Sequence, residues 1–558
     1  MQCGPNELPR ATRKPDGFGV PGLILNHARS PRVFPLLSFR AREHGAVFDG
    51  VSTMPPIAPE PQRMHRDPPK PTCATDEQAE AWAAQWWQAF SKQDWTSGKA
   101  SEGELYQDPA KLLELMEPPA DGGLAPVKLV RGSWLLKRAK ALRAARTDEE
   151  RAKLRVPRRQ DLELEEPRAL LSPAEVAAMP RGHAGGHLCD YRNACCCPGD
   201  ERRPLRLISI SHGWLTPDHP DPLGEQLINF ADAVAREKSC FRNGDEVCTF
   251  VVCACCCPCC PVLFQPWHTC FGLPCAGQQC CARAHALPRG EFMVFYDFAS
   301  LHQKDPESGG RTDGERAAFG SALNTMGTWY AHNLTTTVVL DVFPAGWEST
   351  TPYSDRGWTT FESAVSALIK DSQTGTWDRF VHASVGRSSH GSTGAVRPPP
   401  LDPEAFAAKL ARKVFTNGKS DLEMVAEIYA RTLNGSFGAA ERLVFEHAGW
   451  GDEEMKAFAK VLPLARRVRF LNLNNNDNVG ADGWHALAEA IAAGGATQLE
   501  AIYPVTSQSL AVCFSDCSSS DSDDSVSFPT SDGGALKRAC EARGIKLYSE
   551  QQKNGVFA

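Results

Sequence analysis

At 558 residues the chain is too long for one ordinary core and implies two or three folded units joined by linkers. A net charge of −7 and a pI near 6.1 carry no global signature of a nucleic-acid binder, and no specific nucleic-acid partner is expected. Val20-Pro21-Gly22-Leu23-Ile24-Leu25 is too short for a secretory core, so an intracellular, cytoplasmic protein is expected, and the basic, acid-poor first 45 residues leave an organellar transit peptide open.

Residues 1–74 are rich in Pro, Gly and Arg without periodicity and are expected to be disordered. Residues 75–202 read as a helical region. Thr75-x-x-Gln78 has the form of a capping box opening a helix with Trp82, Trp86 and Phe90 on one face, the spacing of a docking face. Between Lys128 and Arg159 twelve Lys or Arg stand against three acids; without interleaved aromatics this reads as a solvated helix face.

Residues 203–385 alternate apolar runs with amphipathic stripes. Leu205–Ile210, Phe292–Tyr296 and Thr337–Leu340 suit strands buried on both faces. Leu227, Phe230, Ala231 and Val234 form one helical stripe, Phe319, Leu323, Met326 and Tyr330 a second, and Phe361, Val365, Leu368 and Ile369 a third. The alternation predicts βαβ units and a doubly wound, mostly parallel α/β sheet. Residues 238–289 interrupt it as a Cys-rich insertion, inside a stretch that holds sixteen of the 21 cysteines. Three readings of the insertion stay open: a disordered segment, a zinc site built on Cys256-x-x-Cys259 and Cys257-x-x-Cys260, or weak membrane contact through the apolar Val247–Phe264.

After a linker at 386–403 and a helical connector at 404–440, residues 441–548 read as a small repeat module. Leu443, Leu471 and Leu499 recur every 28 residues, with helical stretches Glu453–Leu464 and Gly483–Ala493 between them. This strand-plus-helix period resembles a short leucine-rich repeat of the ribonuclease-inhibitor type, split by a Ser/Asp-rich insert at 515–531.

Three polar blocks sit at strand ends, where ligands of open α/β sheets bind. They are Ser211-His212-Gly213-Trp214, Asp297 with Gln303, and Arg356-Gly357-Trp358-Thr359 with Glu362. In order and spacing, and with Glu315, Met326 and Tyr330 between, they resemble the heterokaryon-incompatibility (HET) domain, a relative of the Toll/interleukin-receptor (TIR) fold. Phe361 stands where that family has Gln, and Tyr353 and Ser354 precede the last block as in plant TIR domains. The resemblance covers about a third of the chain and implies a flavodoxin/TIR-like sheet.

The resemblance also implies cleavage of the nicotinamide–ribose bond of NAD, as substrate rather than cofactor, in a signalling or defence-type protein. A carboxylate near the anomeric carbon stabilises the positive charge that develops there, and Glu362 is the catalytic candidate. Arg356 would grip a phosphate, Trp214 or Trp358 would stack on a ring, Ser211 and Gln303 would line the site, and His212 and Asp297 would position ribose hydroxyls or water. The alternative is a non-enzymatic interaction scaffold in which Thr359-x-x-Glu362 is only a capping box. Either way, protein partners are expected through the repeats, and self-association through the TIR-like domain.

Overall fold

The computed structural model describes residues 72, 75–93, 95, 103–120, 122–179, 205–242, 291–347, 351–370, 380–383, 397–415, 418–504 and 533–547. The disorder expected for 1–74, the three readings of the 238–289 insertion and the polar 515–531 insert fall essentially outside these residues. Everything described belongs to one compact unit, Arg63–Ala558.

The centre is a six-stranded mixed sheet made of β1 (Leu129–Arg131), β2 (Leu170–Leu171), β3 (Leu207–His212), β4 (Met293–Phe295), β5 (Thr336–Leu340) and β6 (Phe380–His382). Their order is β2-β1-β4-β3-β5-β6. The four from β4 to β6 are parallel, whereas β1 runs antiparallel to β4 and β2 antiparallel to β1. Alternate residues feed opposite faces, as the two-residue period of a strand requires. Leu207, Met293 and Phe295 enter a core with Trp329, Phe361 and Val365. Ile208, Ile210, Val294 and Val338 enter another, closed by Leu135 and Leu142 of the helix Gly132–Ala144 and by Leu227 and Phe230 of the helix Glu225–Arg242. With helices on both faces, every residue of β3, β4 and β5 is buried.

Several expectations need correction. The sheet does not begin at residue 203: β1 and β2 come from the region read as purely helical, and strands of two or three residues are too short to show a period. Nor is the basic stretch only a solvated face. Arg159 is 1% exposed and donates to the carbonyls of Ala125, Pro126 and Ser300, while Arg138 pairs with Glu166 at 2.8 Å. Thr75 does cap its helix, accepting from Gln78 N at 3.2 Å, and Trp82 and Trp86 pack on the core. The second stripe is two helices, Asp313–Asn324 and Met326–Ala331, divided at Thr325.

A second, all-parallel sheet of β7 (Arg442–Val444), β8 (Phe470–Asn472), β9 (Ala501–Tyr503) and β10 (Lys546–Leu547) has the order β10-β9-β8-β7. Leu443 pairs with Leu471, as the 28-residue period predicts, but Leu471 pairs with Ile502, 31 residues on. Leu499 therefore lies before its strand, although it is still buried. His447 and Asn475, again 28 residues apart, both take left-handed backbone conformations (φ 53° and 59°), so the turn after the strand repeats with the strand. Asp452, first residue of the helix Asp452–Val461, accepts from Gly480 N and Gly483 N at 2.7 and 2.9 Å and so caps the next repeat's helix, Ala481–Ala492. Among the described residues no helix is long and apolar enough to cross a membrane.

The end of the expected linker is not a linker in structure. Arg397 is 3% exposed; its guanidinium donates to the carbonyls of Ala367, Lys370 and Val444 and lies over Phe445, and its own carbonyl accepts from Trp450 Nε1 at 2.8 Å. It joins the first sheet's helical layer to β7, and one continuous apolar core runs through both. Arg397→Met should leave three buried carbonyls unsatisfied and cost roughly 3 kcal/mol or more. Urea unfolding followed by circular dichroism should show one transition at a lower midpoint, whereas two separated transitions would mean two independent cores.

Candidate active site at the strand ends

The parallel strands bring the polar blocks together at one end of the sheet. Ser211 and His212 are the last two residues of β3 and pair with Val339 and Leu340 of β5, so they belong to the strand rather than following it. Asp297 comes just beyond β4, and the helix Gly357–Ser366 follows β5 after a loop and a short turn, Tyr353–Asp355. Connections leave β3 towards β4 on one side and β5 towards β6 on the other, so the crevice between β3 and β5 is the point where the winding reverses.

Glu362 is 6% exposed, and its Oε2 lies 2.5 Å from Ser211 Oγ, which in turn lies 2.6 Å from the Tyr353 hydroxyl. The capping-box alternative does not describe this helix. Its N-cap is Arg356, three residues earlier, and the Thr359 hydroxyl donates to the carbonyls of Tyr353 and Arg356. Burial raises the Glu362 carboxyl well above the usual carboxylate range; the Ser211 bond opposes this and the Asp297 charge adds to it. Burial therefore favours the neutral acid form of Glu362.

Beside it, Asp297 accepts from Trp214 Nε1 at 3.0 Å and stands 3.5 Å from His212 Nε2. That nitrogen is buried and has no hydrogen-bond partner. Burial lowers the His212 pKa, with Asp297 pulling the other way, so the ring is neutral. Arg356 donates from Nη1 to Trp214 O at 2.7 Å and from Nε to Thr351 O at 2.8 Å, and its guanidinium lies over Phe343. Gly213 makes this approach possible, because a Cβ there would sit 2.9 Å from Arg356 Nε and from the Phe343 ring.

Two expected residues serve elsewhere. Trp358 donates from Nε1 to Asp421 in the helix Lys419–Ala439, which ties the Glu362 helix to its neighbour rather than presenting a ring to a ligand. Gln303 donates to the carbonyls of Asp297 and Leu301, holding the turn that carries Asp297. Residues not singled out in the sequence support the site from behind. Gln226 donates to Gly213 O and Pro220 O; Asp221 accepts from Leu227 N; and His219 faces Val156 O and stacks near Phe298. Burial raises Asp221 to about 6 and lowers His219 to about 4. Their one sequence signal is polar residues crowded between a strand end and the next helix. Among the described residues no group of three His, Cys, Asp or Glu could hold a metal ion.

Comparison of the chain with protein-family models, with curated proteins and with solved structures finds no match in any of the three.

His302, next to Gln303, is 2% exposed with neither ring nitrogen hydrogen-bonded. Burial lowers its pKa from 6.5 to about 4. The folded value lies below the unfolded one, so the neutral ring's stability is full above about 6.5 and is lost as pH falls towards 4. Such a shift corresponds to about 3 kcal/mol. His302→Leu should match or exceed the native stability at pH 7. Between pH 7 and 4 its denaturation midpoint should fall less than that of the native protein, and parallel pH profiles would contradict this account.

Proposed function

We propose that the domain built on β3 to β6 is a TIR-like nucleotide-binding domain that cleaves the nicotinamide–ribose bond of NAD, in a protein of signalling or defence type. The order of its parallel strands, second-first-third-fourth in chain sequence, supports a flavodoxin/TIR-like reading. The observation that carries the proposal is Glu362: its carboxyl meets Ser211 at the strand end instead of capping its own helix.

Burial of Glu362 suits this chemistry. The nicotinamide ring of bound NAD is cationic, so its arrival favours the ionised carboxylate that desolvation disfavours. The carboxylate then faces the charge that develops on the ribose as nicotinamide leaves. His212 Nε2 and Asp297 offer neighbouring positions for a ribose hydroxyl or the attacking water. A phosphate would have to draw Arg356 from the carbonyls it now serves.

That last point favours a second reading, a non-enzymatic scaffold. Arg356 and Trp358, two of the residues expected to hold a ligand, are engaged by the protein itself. In both readings the strand-helix units of residues 441–548 are leucine-rich repeats that bind protein partners. The matched left-handed turns at His447 and Asn475 and the parallel sheet support that assignment. The purified chain should release nicotinamide from NAD, and Glu362→Gln should keep the fold while reducing turnover about a hundredfold. No release from either form, or equal release from both, would move the assignment to the scaffold.

A further inference from the structure

Glu362 is buried, yet the proposed chemistry needs its carboxyl ionised. Ser211 and Tyr353 bear on that charge. Ser211 Oγ stands 2.5 Å from Glu362 Oε2 and 2.6 Å from the Tyr353 hydroxyl, which lies 3.4 Å from Thr359 O. Tyr353 is half-buried, in the short turn before the Glu362 helix, whereas Ser211 is fully buried.

The hydrogens of this row can be arranged in two ways, each of them consistent with a different charge on Glu362. With Glu362 neutral, its acid proton points to Ser211 Oγ, the Ser211 hydrogen to Tyr353, and the Tyr353 hydrogen to Thr359 O. With Glu362 ionised, Ser211 donates to the carboxylate and Tyr353 donates to Ser211, so the whole row is reversed. We infer that Ser211 and Tyr353 form a hydrogen-bonded row whose reversal sets the charge of the buried Glu362 carboxyl. This deepens the reading of Glu362 as the reacting carboxylate and rests on it for its purpose, though not for its geometry.

Both hydroxyls stay intact in either arrangement, and only the direction of their hydrogens changes with the charge on Glu362. Tyr353 does not itself act as an anion, since burial and then the neighbouring Glu362 charge hold its hydroxyl well above the usual phenol range. The other titratable groups facing Glu362 are Asp297 and Tyr330, whose hydroxyl donates to Ile210 O at 3.0 Å and also hydrogen-bonds the Glu362 carboxyl. Tyr330 is fully buried, and its contact with Glu362 is the same in both variants tested below. Ser211 and Tyr353 are thus positioning residues that act through Glu362.

The test reads the carboxyl directly. Infrared titration of the full chain, taken as the difference between native protein and Glu362→Gln, gives the midpoint of Glu362 alone. Loss of a hydrogen bond to the anion should raise that midpoint by about one pH unit or more in Ser211→Ala, a tenfold change in its ionisation constant, and by a smaller step in Tyr353→Phe. Circular dichroism establishes that both variants are folded. Where NAD is turned over, the ionisation limb of kcat should move with the midpoint in Tyr353→Phe while KM stays within about twofold. Midpoints unchanged in both variants would overturn the row's hold on the Glu362 charge. Absence of turnover in the native protein would instead count against the proposed function and leave the titration to decide the role of the row.

Discussion

The arrangement depends on how the helix Gly357–Ser366 is held at both ends. At its start, Gly357 N donates to Val414 O at 3.0 Å, and the missing side chain of Gly357 gives room to the Phe415 ring, 1.9 Å from where a Cβ would stand. Just past its end, the Arg397 guanidinium takes the carbonyls of Ala367 and Lys370. A buried guanidinium is unfavourable unless its donors are met, and here backbone carbonyls meet them. The Ala367 carbonyl, at the helix's C-cap, would otherwise be among the orphans that a helix leaves at its C-terminus. Two desolvation problems therefore answer each other, and the helix that carries Glu362 cannot move without disturbing β7.

Against that fixed helix, the strand ends form a site of buried polar groups. Burial favours the uncharged forms of Glu362 and His212, one as an acid and the other as a base. The charges that remain lie at the edge: Asp297, about a fifth exposed at its side chain, and Arg356, lowered by burial to about 10. A site of this kind gains charge when a charged ligand enters, because the ligand supplies the field that the solvent no longer does.

Much of this was legible in the sequence because buried parallel strands are rich in apolar residues, so clusters of polar residues at their ends stand out. Ser211, His212, Asp297 and Glu362 were found that way, together with the 28-residue step from Leu443 to Leu471. What escaped was set by distant partners. Trp358 is directed by Asp421, 63 positions away, and Arg397 lies in a stretch whose Gly, Ser and Pro content resembles a linker whether or not it is buried. The third repeat was placed at Leu499 because the eye extends an exact period, whereas register follows the hydrogen-bond ladder.

That displaced register has a consequence of its own. From Leu443 to Leu471 the return path takes 28 residues, to Ile502 it takes 31, and to Leu547 it takes 45, yet all four strands stay paired side by side. Extra length is taken up in the excursions, and the ladder and the buried leucine row are left as they were. Loop closure grows costlier only slowly with length. The stack can therefore accept new surface segments one unit at a time, while the joint with the first sheet, made at β7, remains outside the part that varies.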